Sequence, residues 1–421
     1  MNRPRREAGA RKPISGATVF LVLVVSLDTM AMGLTMPVLP GLIKQLVHDE
    51  PATAARYIGW FGGLWAAMSF LASPVIGALS DRFGRRPVLL ASMFGAAADF
   101  AFMALAPAVA WLFIGRALSG ITSASAVTAN AYIADTTPED ERAARFGLLN
   151  ASFGIGFMLG PILGGILGQF DLRLPFWVAA GLCAANTVLG LIVLPESLKR
   201  ENRRPFDIRR ANPLSALSLY LRNPPLRVFA IVMFLYYIAQ QVLFSTVIPY
   251  VDFRFHWTTL MMGMALVFVG VGMVVVQGAL VRPFVARFGE RRGVATGLAG
   301  GVVGMLIYAT AGSGALFLLG VPVYSLVGLQ VVSLQALMTQ CLGADEQGRL
   351  QGANASLIAV TAMIGPPLFT HVFARAIETH GPPALPFYLA AAILGAALLI
   401  SLVARGAGPG AALDETRPER A

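Results

Sequence analysis

The decapeptide GALSDRFGRR, Gly77 to Arg86, follows a long apolar run and is partly repeated later in the chain. Its Phe83-Gly84-Arg85-Arg86 recurs as Phe288-Gly289-Glu290-Arg291, at an offset of 288 − 83 = 205 residues. Gly160-Pro161 recurs as Gly365-Pro366 at the same spacing, since 365 − 160 = 205. Either match alone is at chance level, but two matches at one offset indicate that the chain is a duplicated unit.

The composition is that of a protein surrounded by lipid. Of 421 residues, 56% are hydrophobic and 13% are charged, whereas a soluble domain carries about 25% charged residues. The net charge of +10 does not indicate nucleic-acid binding, because most basic residues lie in short loops between apolar runs. Cys183 and Cys341 each lie in an apolar run, so we expect no disulfide framework, no metal site and no cofactor.

Apolar runs near the length of about 20 residues that a membrane helix needs occur throughout the chain. The uncharged stretch 293–344 is too long for one span and is divided at 311–315. The predicted spans are 16–39, 57–80, 88–107, 109–134, 145–169, 174–195, 227–250, 258–282, 294–312, 314–342, 350–376 and 384–404. With the repeat, they predict an all-α membrane protein of twelve transmembrane helices in two pseudo-symmetric six-helix halves.

Loops rich in Lys and Arg alternate along the chain with loops poor in them. The N-terminal tail and the loops after spans 2, 4, 6 and 8 are rich, the loop after span 10 has only Arg349, and the others are poor. By the positive-inside rule, both termini are cytoplasmic and the protein is a multi-pass protein of the inner membrane. The predicted segments are a tail at 1–15, a half at 16–195, a cytoplasmic central loop at 196–226, a half at 227–404 and a tail at 405–421.

Two carboxylates are predicted to lie deep in spans of the first half. At 1.5 Å per residue, Asp28 of span 1 and Asp99 of span 3 are each about 16 Å inside a hydrocarbon core about 30 Å thick. A carboxylate there costs at least about 2.5 kcal/mol, and less if it faces a wet cavity or takes a proton. We interpret both as proton-coupling acids; the alternative is a polar contact within the bundle.

Arg116 of span 4 is predicted to lie within one helical turn of the depth of these acids. A buried cation beside a carboxylate stabilises the ionised form and can change partners when a proton arrives. We include Arg116 in the proton-coupling set, although a static buried ion pair explains it equally well.

The loop after span 2 combines a turn with charges. Asp81 ends span 2, Arg85 lies across the turn, and Asp135 lies at the same end of span 4. A carboxylate here could also meet the N-terminus of span 11, since helix N-termini attract anions. We interpret the three as a conformational latch between the halves; the alternative is ordinary positive-inside topology.

Span 5 carries small residues interrupted by a proline. Glycines allow close helix approach and proline bends a helix, so the face serves either as a hinge or as plain packing. Its members are Gly154, Gly156, Gly160, Pro161 and Gly164.

These motifs together resemble the major facilitator superfamily and, within it, the twelve-span tetracycline–proton antiporters. Gly77–Arg86, Arg116 with Gly120, and Gly154–Gly165 are similar to the family's loop 2–3, span 4 and span 5 motifs. The further similar stretches are Leu27-Asp28 with Met36–Leu42, Ala98–Phe100, Ala131–Asp135, Leu194–Ser197 and Gly365-Pro366.

The resemblance implies export of a tetracycline chelated to a divalent cation, in exchange for a proton. It implies that Asp28 and Asp99 are the essential acids of the first half. The chain departs from the pattern in span 9, where Gly297–Met305 holds no acid, and at Met273, where the antiporters often carry histidine. Gln277 matches. Any coupling is therefore expected to depend on the first half.

We accordingly expect a monomeric, proton-coupled exporter of small amphipathic drugs that works by alternating access and is not an enzyme. Its partners would be a drug, protons and lipid, without nucleic acid. Glutamines in the second half are candidate hydrogen-bond donors to the drug, or else bond across helices: Gln240, Gln241, Gln277 and Gln330. The alternatives are a proton-coupled metabolite importer and a membrane sensor without transport.

Overall fold

The computed structural model describes residues 16–122, 125–137, 139–203, 217–343 and 346–403, and all regular elements within them are helical. Among these described residues, ten helical segments are long and apolar enough to cross a membrane, and two shorter apolar helices, Val109–Thr122 and Ala151–Leu167, bring the total to 10 + 2 = 12. The predicted all-α fold with twelve spans is confirmed.

The spans follow one another in the predicted order. Spans 1 to 6 are Gly16–Thr35 with Leu39–Leu46, Pro51–Phe83, Arg85–Leu105, Val109–Thr122 with Ser125–Thr136, Glu139–Leu167, and Leu174–Val193. Spans 7 to 12 are Pro224–Ser245 with Val247–Phe255, Thr259–Val275 continued through Val276–Leu280 to Val281–Phe288, Glu290–Thr310, Gly314–Ser325 with Val327–Gln340, Gln347–Glu378, and Leu385–Val403. Short helices at Arg200–Asn202 and Ser218–Arg222 lie in the described parts of the connection between the halves.

Local sequence signals decide where several spans begin and break. Span 7 begins at Pro224, before the predicted boundary at 227, because the Asn223 side chain accepts a hydrogen bond from the Leu226 N–H at 3.2 Å and caps the helix. Span 1 breaks between its two helices, where Pro37 has no N–H to continue the ladder.

The packing of the spans repeats from one half to the other. In the first half span 1 packs on spans 5 and 6, span 3 on span 6, and span 2 on span 4. In the second half span 7 packs on spans 11 and 12, span 9 on span 12, and span 8 on span 10. The repeated glycines Gly84 and Gly289 both end a helix with positive φ, +106° and +79°, which a side chain would strain. The duplication inferred from the offset of 205 is therefore present in the backbone.

The halves meet along two seams, span 2 against span 11 and span 5 against span 8. One end of the bundle carries Arg82, Arg86, Arg287 and Arg291, and we call it the basic end. At the opposite end, Lys44 pairs with Asp252 at 3.0 Å and Arg56 with Glu378 at 2.6 Å, each across the halves. The molecule is thus closed at the opposite end.

Candidate functional site

A small cavity in the first half lies among spans 1, 3, 4 and 6. Its volume is about 180 Å³, and Asp28, Arg116, Ser119 and Cys183 are among the residues that line it. We call it the charged pocket.

Asp28 is partly exposed to the charged pocket and has one hydrogen-bonding side chain beside it. The Asn186 Nδ2 of span 6 donates to Asp28 Oδ1 at 3.3 Å and to the Val24 carbonyl at 3.2 Å. Cys183, one turn before Asn186, lies near both Asp28 and Asp99. The two acids that the sequence places at one depth therefore lie close to the same part of span 6.

Asp99 is only 1% exposed, and the Ser119 hydroxyl of span 4 lies near its carboxylate, although no hydrogen bond of ideal geometry to either oxygen forms within the described chain. It packs against Gly115 of span 4, where an added Cβ would come within 3.1 Å of Asp99 Oδ1. Arg116, the next residue, interacts electrostatically with Asp99 but is not within ion-pair distance, and its Nε is buried without a partner among the described residues. Asp28 and Arg116 thus line one pocket, and Asp99 lies near Arg116 without forming an ion pair with it.

The three residues predicted as a latch form a compact cluster at the basic end. Arg85 is 11% exposed, and its guanidinium lies 2.7 Å from Asp81 Oδ1 and 3.0 Å from Asp135 Oδ2. It also donates to the buried Ser80 hydroxyl at 3.0 Å, while its backbone N–H donates to Glu196 Oε1 at 2.8 Å. Asp81, Asp135 and Ser80 belong to the first half, Glu196 directly follows it, and none of these partners is in span 11.

The small residues and the proline of span 5 divide between two surroundings. Gly156, Gly160 and Gly164 face span 1, and a Cβ on Gly160 would lie 2.6 Å from the Met30 carbonyl oxygen. Pro161 packs against Gly33 of span 1, and Gly154 lines the large cavity described next. The close approach of spans 1 and 5 therefore depends on the middle of this face.

The larger cavity lies between the halves and has a volume of about 850 Å³. Spans 1 and 5 form one wall and spans 7 to 10 the other, with aromatic residues Phe244, Trp257, Tyr308, Phe317 and Tyr324. The described residues that line it include no Lys, Arg, Asp or Glu. We call it the apolar cavity. Met32 and Phe153 line both it and the charged pocket, so the two cavities are neighbours.

The four glutamines do not share one site. Gln240 and Gln277 line the apolar cavity. The Gln241 side chain packs against Gly365 of span 11, and Gln330 lines a separate pocket of about 260 Å³ between spans 7 and 10.

Two residues of these sites were not singled out from the sequence. Asn186 has no charge, and an asparagine in an apolar run does not reveal its partner. Glu196 lies in the stretch Leu194–Ser197, which resembles the antiporters, but its bond to the turn at Arg85 appears only in the fold. No group of three or more His, Cys, Asp or Glu among the described residues could hold a metal ion.

Comparisons with known proteins agree on one family. The model of the Major Facilitator Superfamily matches residues 21–366 and 230–419. Tetracycline resistance protein class C of Escherichia coli is 38% identical over 368 residues, which are 87% of this chain and 91% of that protein. The class G protein of Vibrio anguillarum is 35% identical over 357 residues, 85% of this chain and 90% of that one.

Solved structures share the fold at lower identity. The nucleoside transporter NupG covers 92% of this chain and 99% of its own, with a TM-score of 0.78 and 11% identity. The human organic anion transporter MFSD10 covers 91% and 98%, with a TM-score of 0.66 and 24% identity. With its duplicated six-span halves and the family model matched along nearly its whole length, the chain belongs to the major facilitator superfamily.

Proposed function

We propose that the protein exports small amphipathic drugs, tetracyclines foremost, across the inner membrane in exchange for protons. One observation carries the proposal: a carboxylate, Asp28, lies in a pocket that shares two wall residues with an apolar cavity of about 850 Å³ between the halves. Pockets that bind drug-sized molecules have about this size and are mostly apolar with a few polar groups. The relatives named as tetracycline resistance proteins support this substrate class.

The coupling follows from competition for Asp28. A proton on Asp28 removes the charge next to the cavity, and its release restores a carboxylate that attracts a cationic substrate. Arg116 is the counter-charge of ionised Asp99. When Asp99 takes up a proton, Arg116 is free to turn towards ionised Asp28. The substrate leaves chemically unchanged, so no described residue is assigned a catalytic role.

The direction of transport depends on which end of the helix bundle faces the cytoplasm. We propose that the basic end is cytoplasmic, with both termini on that side, because cytoplasmic loops carry the excess of Lys and Arg. The closed opposite end then makes this the inward-facing state, in which a drug enters from the cytoplasm or the inner leaflet. Rocking of the halves about the 2–11 and 5–8 seams would close the basic end and bring the Asp81–Arg85–Asp135 cluster to the N-terminus of span 11.

We further propose that the transported species is a monocationic chelate of tetracycline with a divalent cation. The cation would travel as part of the substrate, held by the drug rather than by a protein metal site. The positive charge of the chelate would face Asp28, and the fused rings of the tetracycline would contact the aromatic wall of the apolar cavity. The protein would act as a monomer in the lipid bilayer, because both cavities lie within one chain.

The importer alternative receives no support from the cavity. An importer of anionic metabolites would place basic residues there, yet Lys and Arg are absent from its described lining. A sensor without transport would not need an acid next to the cavity.

The test uses inside-out membrane vesicles with an acidic lumen and a fluorescent pH probe. Tetracycline with Mg²⁺ should release lumenal protons in the wild type, and the rate should fall at least tenfold in Asp28→Asn, which keeps the shape but cannot ionise. The matched control is Asp49→Asn, since Asp49 is exposed and its positive φ of 62° suits asparagine. Proton release that is equal in wild type and Asp28→Asn would refute the proposal. Release that is independent of Mg²⁺ would refute the chelate alone.

A further inference from the structure

The amide of Asn186 is held between two acceptors inside the first half. Asn186 is 1% exposed, and its Nδ2 lies 3.3 Å from Asp28 Oδ1 and 3.2 Å from the carbonyl oxygen of Val24. Val24 and Asp28 are both on span 1, one turn apart, so a single side chain of span 6 spans that turn.

The Val24 carbonyl fixes which way the amide points. The oxygen and nitrogen of an asparagine amide can exchange places by rotation, and the hydrogen-bond partners decide between them. A backbone carbonyl can only accept, so the atom that faces it must be the nitrogen. The same atom faces Asp28, and Asn186 therefore presents a donor to Asp28 at all times.

A fixed donor does not treat the two protonation states of Asp28 alike. A hydrogen bond to an ionised carboxylate is about twice as strong as one to the neutral acid. We propose that Asn186 is a positioning residue that promotes proton release from Asp28 and sets the pH at which exchange occurs. The inference rests on the proposed function, because it assigns Asn186 a part in the same coupling step.

Among the described residues, the other ionisable groups around Asp28 do not hydrogen-bond to it. Arg116 of span 4 and Cys183 of span 6 line the same pocket, and Asp99 of span 3 interacts with both of them. Span 5 faces span 1 with glycines, and its described residue in the pocket is Phe153. Among the described side chains, Asn186 is the one that hydrogen-bonds to Asp28.

The experiment measures the pH dependence of drug-driven proton exchange in inside-out vesicles. Asn186→Leu removes the donor at nearly constant volume, and the half-maximal point should move by about one pH unit to the alkaline side, a tenfold change in proton affinity. Asn186→Asp keeps the shape and replaces the donor with a second acid, so its shift should be larger in the same direction. The maximal rate at alkaline pH should stay within about twofold of the wild type.

The matched control is Thr187→Val on the neighbouring residue. Thr187 is also buried in span 6, but its hydroxyl donates to the Cys183 carbonyl of its own helix at 2.8 Å, not to span 1. Its pH profile should overlay the wild type.

The outcomes separate this inference from the proposed function. Unshifted profiles in Asn186→Asp, or an equal shift in Thr187→Val, would overturn the role of Asn186 while Asp28→Asn remained inactive. If Asn186→Leu does not accumulate in the membrane, the isosteric Asn186→Asp decides alone. Exchange that persists in Asp28→Asn would instead mean that the proposed function fails.

Discussion

The ion pair between Arg56 and Glu378 should help to keep the halves closed at the end opposite the basic end. Arg56 lies near the start of span 2 and Glu378 at the end of span 11, 2.6 Å apart across the seam. Reversing one charge with Arg56→Glu replaces the attraction by repulsion. The doubly reversed variant, Arg56→Glu with Glu378→Arg, restores an attractive pair with the same two side-chain types.

The magnitude follows from the exposure of the pair. Each side chain is 36% exposed, so screening by water is considerable and the attraction is about 0.2–1 kcal/mol. Repulsion of similar size in Arg56→Glu brings the change to about 2 kcal/mol at most, or about 25-fold in the ratio of closed to open states. The Lys44–Asp252 pair remains in all variants and limits the opening.

Opening can be read from a buried cysteine at the same seam. Thr370 is 0% exposed and packs against Gly59 of span 2, so Thr370→Cys should react with a membrane-impermeant maleimide only when the seam opens. Cys183 and Cys341 are first replaced by alanine. Labelling from outside intact cells should be about 2-fold to 25-fold faster in Arg56→Glu, and should return to the rate of the parent in the double reversal.

The double reversal is the decisive arm. If it labels as fast as Arg56→Glu, the two residues do not act as a pair, and the reasoning is wrong. Equal rates in all three proteins would mean that the seam is held by its apolar packing alone.

Two further predictions concern packing and the basic-end cluster. Gly160→Ala should lower the free energy of unfolding of the purified protein by about 1–3 kcal/mol, because the new Cβ would lie 2.6 Å from the Met30 carbonyl oxygen. The control Gly181→Ala, whose new Cβ would have nothing within 4 Å, should be neutral or slightly stabilising, and equal effects of the two changes would contradict the close approach of spans 1 and 5. Arg85→Ala should lower the free energy of unfolding by about 1–3 kcal/mol in the same assay, since it leaves Asp81 and Asp135 without their shared partner. Arg82 is exposed, so Arg82→Ala should change stability little, and a large effect of Arg82→Ala would show that the charge of the loop, not the cluster, is responsible.

The sequence predicts where a residue lies along its span, because hydropathy and the rise per residue are properties of a single helix. It predicts Asp28, Asp99 and Arg116 near one level, and in the fold Asp28 and Arg116 line one pocket while Asp99 lies near Arg116. Hydropathy marks only the part of a helix within lipid, however. Span 2 is therefore predicted at 57–80 but runs from Pro51 to Phe83, where a proline begins the helix and Gly84 ends it.

Rotation about the helix axis is what the sequence does not predict. Gln240 and Gln241 are consecutive and point about 100° apart on a helix, so only Gln240 lines the apolar cavity while Gln241 packs on Gly365. Asn186 was missed for the same reason, since its importance depends on which neighbour span 6 turns it towards. The twelve-span count, the repeat and the deep acids follow from one-dimensional signals, whereas partner choice depends on packing between spans.

The unequal chemistry of the two duplicated halves has a consequence for how this protein can evolve. The carboxylates and the arginine of the site lie in the first half, and the described wall that the second half gives to the apolar cavity consists of aromatic, aliphatic, methionine and glutamine side chains. Substitutions on that wall would alter the shape offered to a drug without touching the residues proposed to carry protons. We expect that new antibiotics of the same chemical class would select changes in spans 7 to 10, so that the substrate range changes while the proposed proton coupling is retained.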